Sequence, residues 1–143
     1  MAREIEKIRI DVDAPQTRRV RTLRGNLYPV GRALVTPHGS GAVEDFGAGE
    51  TSTWQFWHAE AHYILAGAAD VKYSLPPWFD EAKTMRVEAG DFYIIPPGAD
   101  MTWTVTSAGP LRKLCVILPN ERLYQEVRPL QVERLTPGGG SRG

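Results

Sequence analysis

Cysteine occurs once in the 143 residues, as Cys115, and histidine only three times. A lone cysteine forms no intrachain disulfide, so the chain does not call for an oxidising compartment. An excess of charge is also missing: seventeen lysines and arginines meet seventeen aspartates and glutamates. That balance argues against nucleic acid or a membrane surface as the main partner. The local exception is "RRVRTLRG", where Arg18, Arg19, Arg21 and Arg24 gather. A basic run this short reads as a solvated strand face or a dimer rim rather than a nucleic-acid site. No apolar run approaches the ~20 residues of a membrane span. The opening "MAREIEKIRI" alternates charge and has no apolar stretch of the kind a secretory signal needs. Phosphate-cradling glycine loops and a Gly-x-Ser-x-Gly elbow are absent too. The expectation is a cytoplasmic protein whose partner is a small molecule, with no nucleic acid and no membrane.

Glycine and proline are plentiful, at 14 and 11 residues, and they cut the apolar segments short. The segments 33–37, 53–67, 69–75, 84–90, 91–96, 101–107 and 112–119 are rich in β-branched and aromatic residues and bounded by Gly, Pro, Asp and Ser. Short strands at this spacing predict an all-β sandwich or barrel. A helical pattern appears only at "NERLYQEV" (120–127), where Asn120 can cap a short C-terminal helix and Pro129 follows its end. The chain reads as one domain with a core at about residues 30–118, an arm at 1–12 and a disordered tail at 137–143. In the arm, Ile8 and Ile10 alternate with charge and can add to a neighbour's sheet edge, which predicts a homodimer. "SLPPWFDEAK" (74–83) is a loop. Its Trp78 and Phe79 either fold over a barrel mouth or pack on the surface of the core.

Two of the three histidines fall in "WHAEAHYILAG" (57–67), with a glutamate between them. Residues two apart on a strand face the same side, so a regular strand puts Trp54, Phe56, His58, Glu60 and His62 on one face. Neighbours at i and i+2 lie roughly 6.6 Å apart, within converging reach of two long side chains. His58 and His62 are roughly 13 Å apart on an ideal strand, too far to share an ion. One ion therefore takes His58 with Glu60, or Glu60 with His62, unless a bulge or turn near Ala59–Ala61 brings all three together. Imidazole with carboxylate suits Fe, Mn, Zn or Ni. Tyr73, Tyr93, Asp100 and Cys115 are candidates for the remaining ligands. Cys115, within "LCVIL", otherwise reads as an inert core thiol rather than a nucleophile. His38, in the turn-like "TPHGSG", reads as a surface residue. Of Lys113 and Leu114, which alternate on one strand, one faces the interior.

"EAGDFYIIPPGADMTW" resembles the second motif of the cupin superfamily, Gly-x5-Pro-x-Gly-x2-His, with Gly90, Pro96 and Gly98 in place and Met101 where the metal-binding histidine stands. Glu60 and Gly67 match the Glu-x6-Gly ending of the first motif, whose paired histidines fall at Trp54 and Phe56. Trp103, Arg112 and Lys113 further resemble a subgroup of small cupins that includes ureidoglycine aminohydrolases and an ethanolamine-utilisation protein. The resemblance spans roughly residues 30–118 and implies a jelly-roll β-barrel, commonly dimeric, with its site inside.

On that basis the expected protein is a metal-dependent cupin enzyme acting on a small, partly apolar or aromatic molecule. The metal residues are His58, Glu60 and His62. Glu60 doubles as general base if it is not a ligand. Trp54, Phe56, Tyr93, Met101, Trp103 and Lys113 contact the substrate. A lyase, isomerase, cyclase, hydrolase or dioxygenase reaction fits such a site. The alternative is a metal-free cupin that binds or senses a small molecule without turnover.

Overall fold

The structure, a computed structural model, describes residues 4–118. The expected helix at 120–127 and the tail at 137–143 lie outside the described residues. The described residues form β1 (Thr17–Arg21), β2 (Leu27–Gly31), β3 (Ala33–Thr36), β4 (Gly39–Phe46), β5 (Thr51–Gln55), β6 (Ala59–Ala66), β7 (Ala68–Ser74), β8 (Lys83–Glu88), β9 (Phe92–Ile95), β10 (Asp100–Val105) and β11 (Leu111–Leu118). β1 and β2 make a hairpin. The rest form a four-stranded sheet, β5-β10-β7-β8, and a five-stranded sheet, β3-β4-β11-β6-β9, antiparallel throughout. This is the all-β barrel expected. No helix among these residues is long and apolar enough to cross a membrane.

Alternation decides what each strand contributes. In β11, Leu111, Lys113 and Cys115 are buried while Leu114 and Val116 are exposed. In β10, Met101, Trp103 and Val105 are buried. Those inner residues meet Phe46, Ile64, Val71, Val87 and Ile95 in one core. Burying a large apolar side chain is worth about 1.5–3 kcal/mol, and this core clamps the two sheets face to face.

One expectation is corrected. Residues 53–67 are not one strand but two, β5 in the four-stranded sheet and β6 in the five-stranded sheet, joined by a bend at 56–58. The Phe56 N–H donates to the Ala99 carbonyl at 2.7 Å, and the Phe56 carbonyl accepts from the Gly98 N–H at 2.6 Å. These bonds to the Pro-Pro-Gly corner pull the chain out of one sheet and into the other. Gly98 sits there with φ +89°, and a Cβ on it would stand 2.8 Å from Pro76 Cγ. At Gly67 the need is steeper: φ is +83° and a Cβ would fall 2.3 Å from the Pro110 carbonyl oxygen.

The ladder between β6 and β11 contains a bulge. Arg112 faces Ala66 but Lys113 faces Ile64, so Leu65 is an extra residue. In the loop after β7, Trp78 and Phe79 are exposed, so they neither line the barrel nor join the core. Residues 4–12 form no strand, and Ile8 and Ile10 are half-buried. The basic run lies largely on β1, where Arg19 pairs with Glu50 at 2.6 Å, while Arg24 pairs with Asp100.

Candidate functional site

The inner face of the five-stranded sheet carries a thread of polar side chains. Register sets it up. Cys115 lies opposite His62, and His62 opposite Tyr93; Lys113 lies opposite Glu44 on its other side. Glu60 and His62 point inward from β6 by parity. His58 comes from the bend, which removes the 13 Å obstacle of a straight strand.

The two imidazoles close on one carboxylate. His62 Nε2 is 2.8 Å from Glu60 Oε1, and His58 Nε2 is 3.3 Å from Glu60 Oε2. The first contact is a hydrogen bond. The second has ion-pair distance without hydrogen-bond alignment. All three residues are buried, His62 completely. On its other nitrogen, His62 Nδ1 lies 3.1 Å from the Tyr93 hydroxyl and 3.3 Å from Lys113 Nζ. An ammonium only donates, so Nδ1 accepts and Nε2 carries the proton given to Glu60.

The thread continues past Lys113. Its Nζ donates to the Tyr28 hydroxyl at 3.3 Å and stands 3.6 Å from Glu44 Oε1, which also accepts from Tyr28 at 3.2 Å. Nζ lies 3.8 Å from the centre of the Trp103 ring and 4.7 Å from that of Phe46. A buried cation demands partners, and this one has a carboxylate, a phenol and two ring faces.

The charges are tuned in opposite directions. Burial pushes the Glu60 carboxyl up, but the His58 and His62 imidazoles against its two oxygens outweigh it and hold the pKa at about 2. Burial, helped by the Lys113 charge and opposed by Glu60, pulls His62 down to about 4. At neutral pH the pair is a carboxylate with a neutral imidazole, the form a metal requires. Burial raises Glu44 to about 7 against the pull of Lys113. Burial likewise raises the Cys115 thiol, with Glu44 adding to it.

The structure places the expected contact residues unequally. Tyr93, Phe56, Trp103 and Lys113 surround His62. Phe56 and Trp103 have ring centres 5.8 and 6.0 Å from its ring, and Trp103 Nε1 donates to the Tyr93 hydroxyl at 3.2 Å. Trp54 and Met101 are cross-strand neighbours on the opposite sheet, and Trp54 packs on Tyr28 at 4.7 Å. Asp100, considered as a ligand, is held by Arg24 instead. Glu44 and Tyr28 were not singled out by the sequence. Their signal was the inward parity of Lys113, which demands a buried counter-charge. A surface groove of about 680 Å³ between residues 4–6 and Leu34, His38 and Val116 lies outside the barrel and gathers no comparable set of groups.

Donor chemistry fits a divalent metal: two imidazoles and a carboxylate, all buried and gathered at one point. Among the described residues, Glu60, His62 and Cys115 also bring ligand atoms within 4.8 Å of one another.

Comparison with known proteins agrees with this barrel. Residues 45–113 match the EutQ-like cupin domain. Over that stretch the chain is similar to small cupin-superfamily proteins. Its fold is shared with an RmlC-like cupin family protein of double-stranded β-helix fold from Methanocaldococcus jannaschii (TM-score 0.58, 16% identity, covering 81% of this chain and 93% of that one). A putative ethanolamine utilization protein Q from Salmonella typhimurium matches at TM-score 0.50 and 20% identity, over 74% and 96% of the two chains. Vicilin from Capsicum annuum matches at TM-score 0.52 and 13% identity over 59% of this chain, which spans only 22% of the vicilin chain. No curated protein matches in sequence.

Proposed function

We propose that this chain is a metal-dependent cupin enzyme acting on a small organic molecule inside the barrel, with a divalent ion held by Glu60, His62 and His58. The observation that carries the reading is the pair of imidazole Nε2 atoms, 2.8 and 3.3 Å from the two oxygens of one buried carboxylate. Bound there, Fe, Mn, Zn or Ni would act as a Lewis acid toward a carbonyl or enolate oxygen.

The protein's own groups do the rest. Glu60 fixes the imidazoles. For His62 to offer Nε2 as a ligand, its proton must move to Nδ1, which requires Lys113 Nζ to stop donating there; the Tyr93 hydroxyl then accepts a hydrogen bond from Nδ1–H and fixes the tautomer. Phe56 and Trp103 supply apolar walls that exclude water and favour a partly apolar or aromatic substrate. Of the two roles expected for Glu60, ligation suits a carboxyl with a pKa of about 2 better than accepting a proton does. Glu44, at about 7, is the carboxyl matched to proton transfer near neutrality. Lys113 links the two through His62.

The test is metal per chain after supplementation with each ion. Wild type is expected to carry about one equivalent and His62→Ala far less. Wild type below about a tenth of an equivalent overturns the metal reading. A second reading, a metal-free small-molecule binder, draws on Lys113 Nζ, which lies 3.3 Å from His62 Nδ1 and opposes a nearby cation. It predicts no metal but a ligand-induced rise in melting temperature.

A homodimer and a cytoplasmic location belong to the same proposal. Tyr63, Phe92, Ile94, Leu114, Val116 and Leu118 stand exposed on the outer face of three adjacent strands. An apolar face this continuous suits a second copy related by a two-fold axis. Light scattering should give a dimer for wild type and a monomer for Ile94→Glu; a monomeric wild type at micromolar concentration overturns it.

A further inference from the structure

We propose that Cys115 is a thiolate ligand to the metal at Glu60 and His62, making the centre a mixed imidazole, carboxylate and thiolate site. This rests on the metal reading above. Three observations on this chain point to it.

Placement comes first. Cys115 is directly opposite His62 across the β6–β11 ladder, and both side chains face inward. Its other cross-strand neighbour is Ala42, a side chain too small to hold the sulfur away. Distance comes second. Sγ lies within 4.8 Å of a Glu60 oxygen and a His62 nitrogen. An ion bonded at about 2.0–2.3 Å keeps its ligand atoms roughly 3.3–4.5 Å apart, so Sγ needs only a small inward shift, while His62 Nε2 and Glu60 Oε1, now hydrogen-bonded at 2.8 Å, must part to admit the ion. The hydrogen bond that Sγ gives to the Lys113 carbonyl, at 3.9 Å, is long and little is lost in breaking it.

Charge is the third. The buried groups around the centre are two carboxylates, Glu60 and Glu44, and one ammonium, Lys113. With both carboxyls ionised, a dication added to these leaves one excess positive charge among buried groups. A thiolate brings the sum to zero, which a buried cluster strongly favours. On coordination the thiol proton leaves to solvent and the sulfur lone pair becomes the metal bond. A thiolate also changes selectivity. It favours zinc, cobalt and nickel over manganese, whereas a site of imidazole and carboxylate alone discriminates less.

The experiment uses cobalt(II) as the probe with the full chain. Cobalt-loaded wild type should show a near-ultraviolet sulfur-to-cobalt charge-transfer band. Cys115→Ser should still bind cobalt, at least about tenfold more weakly, and show no such band. Its preference for zinc over manganese should shrink. Wild type that binds cobalt without a sulfur band overturns this inference and leaves the metal reading standing, and the wild-type spectrum gives that answer even if the variant misfolds. A band retained in Cys115→Ser also overturns it. Wild type that binds neither cobalt nor zinc overturns the metal reading and this inference with it.

Discussion

Glu60 and Glu44 lie in the same barrel, both buried, and the protein treats them oppositely. Burial pushes each carboxyl toward its neutral form. Glu60 faces two imidazoles, one at hydrogen-bond distance, and ends at about 2. Glu44 faces an ammonium at 3.6 Å and a phenol at 3.2 Å, and ends at about 7. Two imidazoles on one carboxyl, one of them short and aligned, outweigh desolvation, while one phenol hydrogen bond and an ammonium just beyond hydrogen-bond range do not. A single barrel thus holds a permanent anion and a group that titrates near neutrality, with Lys113 between them.

Removing Lys113 should break the comparison most severely. Lys113→Met leaves Glu44 with no counter-charge, and truncating one partner of a buried pair costs about 3–5 kcal/mol. The cost should be largest above pH 7, where Glu44 is ionised, and shrink below pH 5. Urea unfolding of Lys113→Met and of Lys113→Met/Glu44→Gln should show the second change restoring much of the loss. Equal losses at pH 5 and pH 8 would refute it.

A smaller effect sharpens the comparison in metal-stripped protein. Glu44 has a folded pKa of about 7 against an ordinary value of 4.5, so its stabilising effect is complete below pH 4.5 and is lost as pH rises to 7. His62 runs the other way: with a folded pKa of about 4 against 6.5, it favours folding above pH 6.5 and loses that as pH falls to 4. Glu60 adds a loss as pH falls from 4.5 to 2. Wild-type stability should therefore be nearly flat from pH 4.5 to 6.5 and drop below 4. Glu44→Gln should uncover a rise with pH on the order of 3 kcal/mol across that window. A Glu44→Gln profile as flat as wild type would show that Glu44 and His62 do not oppose each other.

The smallest effect is at Tyr93. Tyr93→Phe takes away one of the two partners of His62 Nδ1 and leaves the Trp103 indole N–H unpaired, which costs about 1–3 kcal/mol. Metal affinity should fall about tenfold, with Glu60 and His62 still in place. Calorimetric titration with zinc checks both parts.

The barrel was legible because its turns are written in glycine and proline: Gly67, Gly90, Pro96 and Gly98 match a motif by spacing. The bend at 56–58 was not. It contains Phe, Trp and His, all at ease in a strand, and its cause is hydrogen bonding to a corner more than forty residues away in sequence. Parity along a straight strand put Glu60 and His62 on one face correctly but placed His58 too far away. β4 was missed for a related reason. "GSGAVEDF" has the composition of a loop, and it is a strand because β3 and β11 pair with it on both sides. Glu44 went unnoticed with it. The inward face of Lys113 was left open by the sequence, since Lys113 is followed by the apolar Leu114 and either alternate fits a barrel wall.

The bulge at Leu65 bears on which insertions and deletions this chain can tolerate. Strand parity is binary, so losing one residue from the paired part of β6 on the His62 side would turn Glu60 and His62 outward and bring Ala61 and Tyr63 in. Leu65 is already outside the count. Deleting it would straighten the ladder and leave every residue before and after it on its present face. Length variation in this strand is therefore confined to one position, next to the polar thread but without power over its orientation.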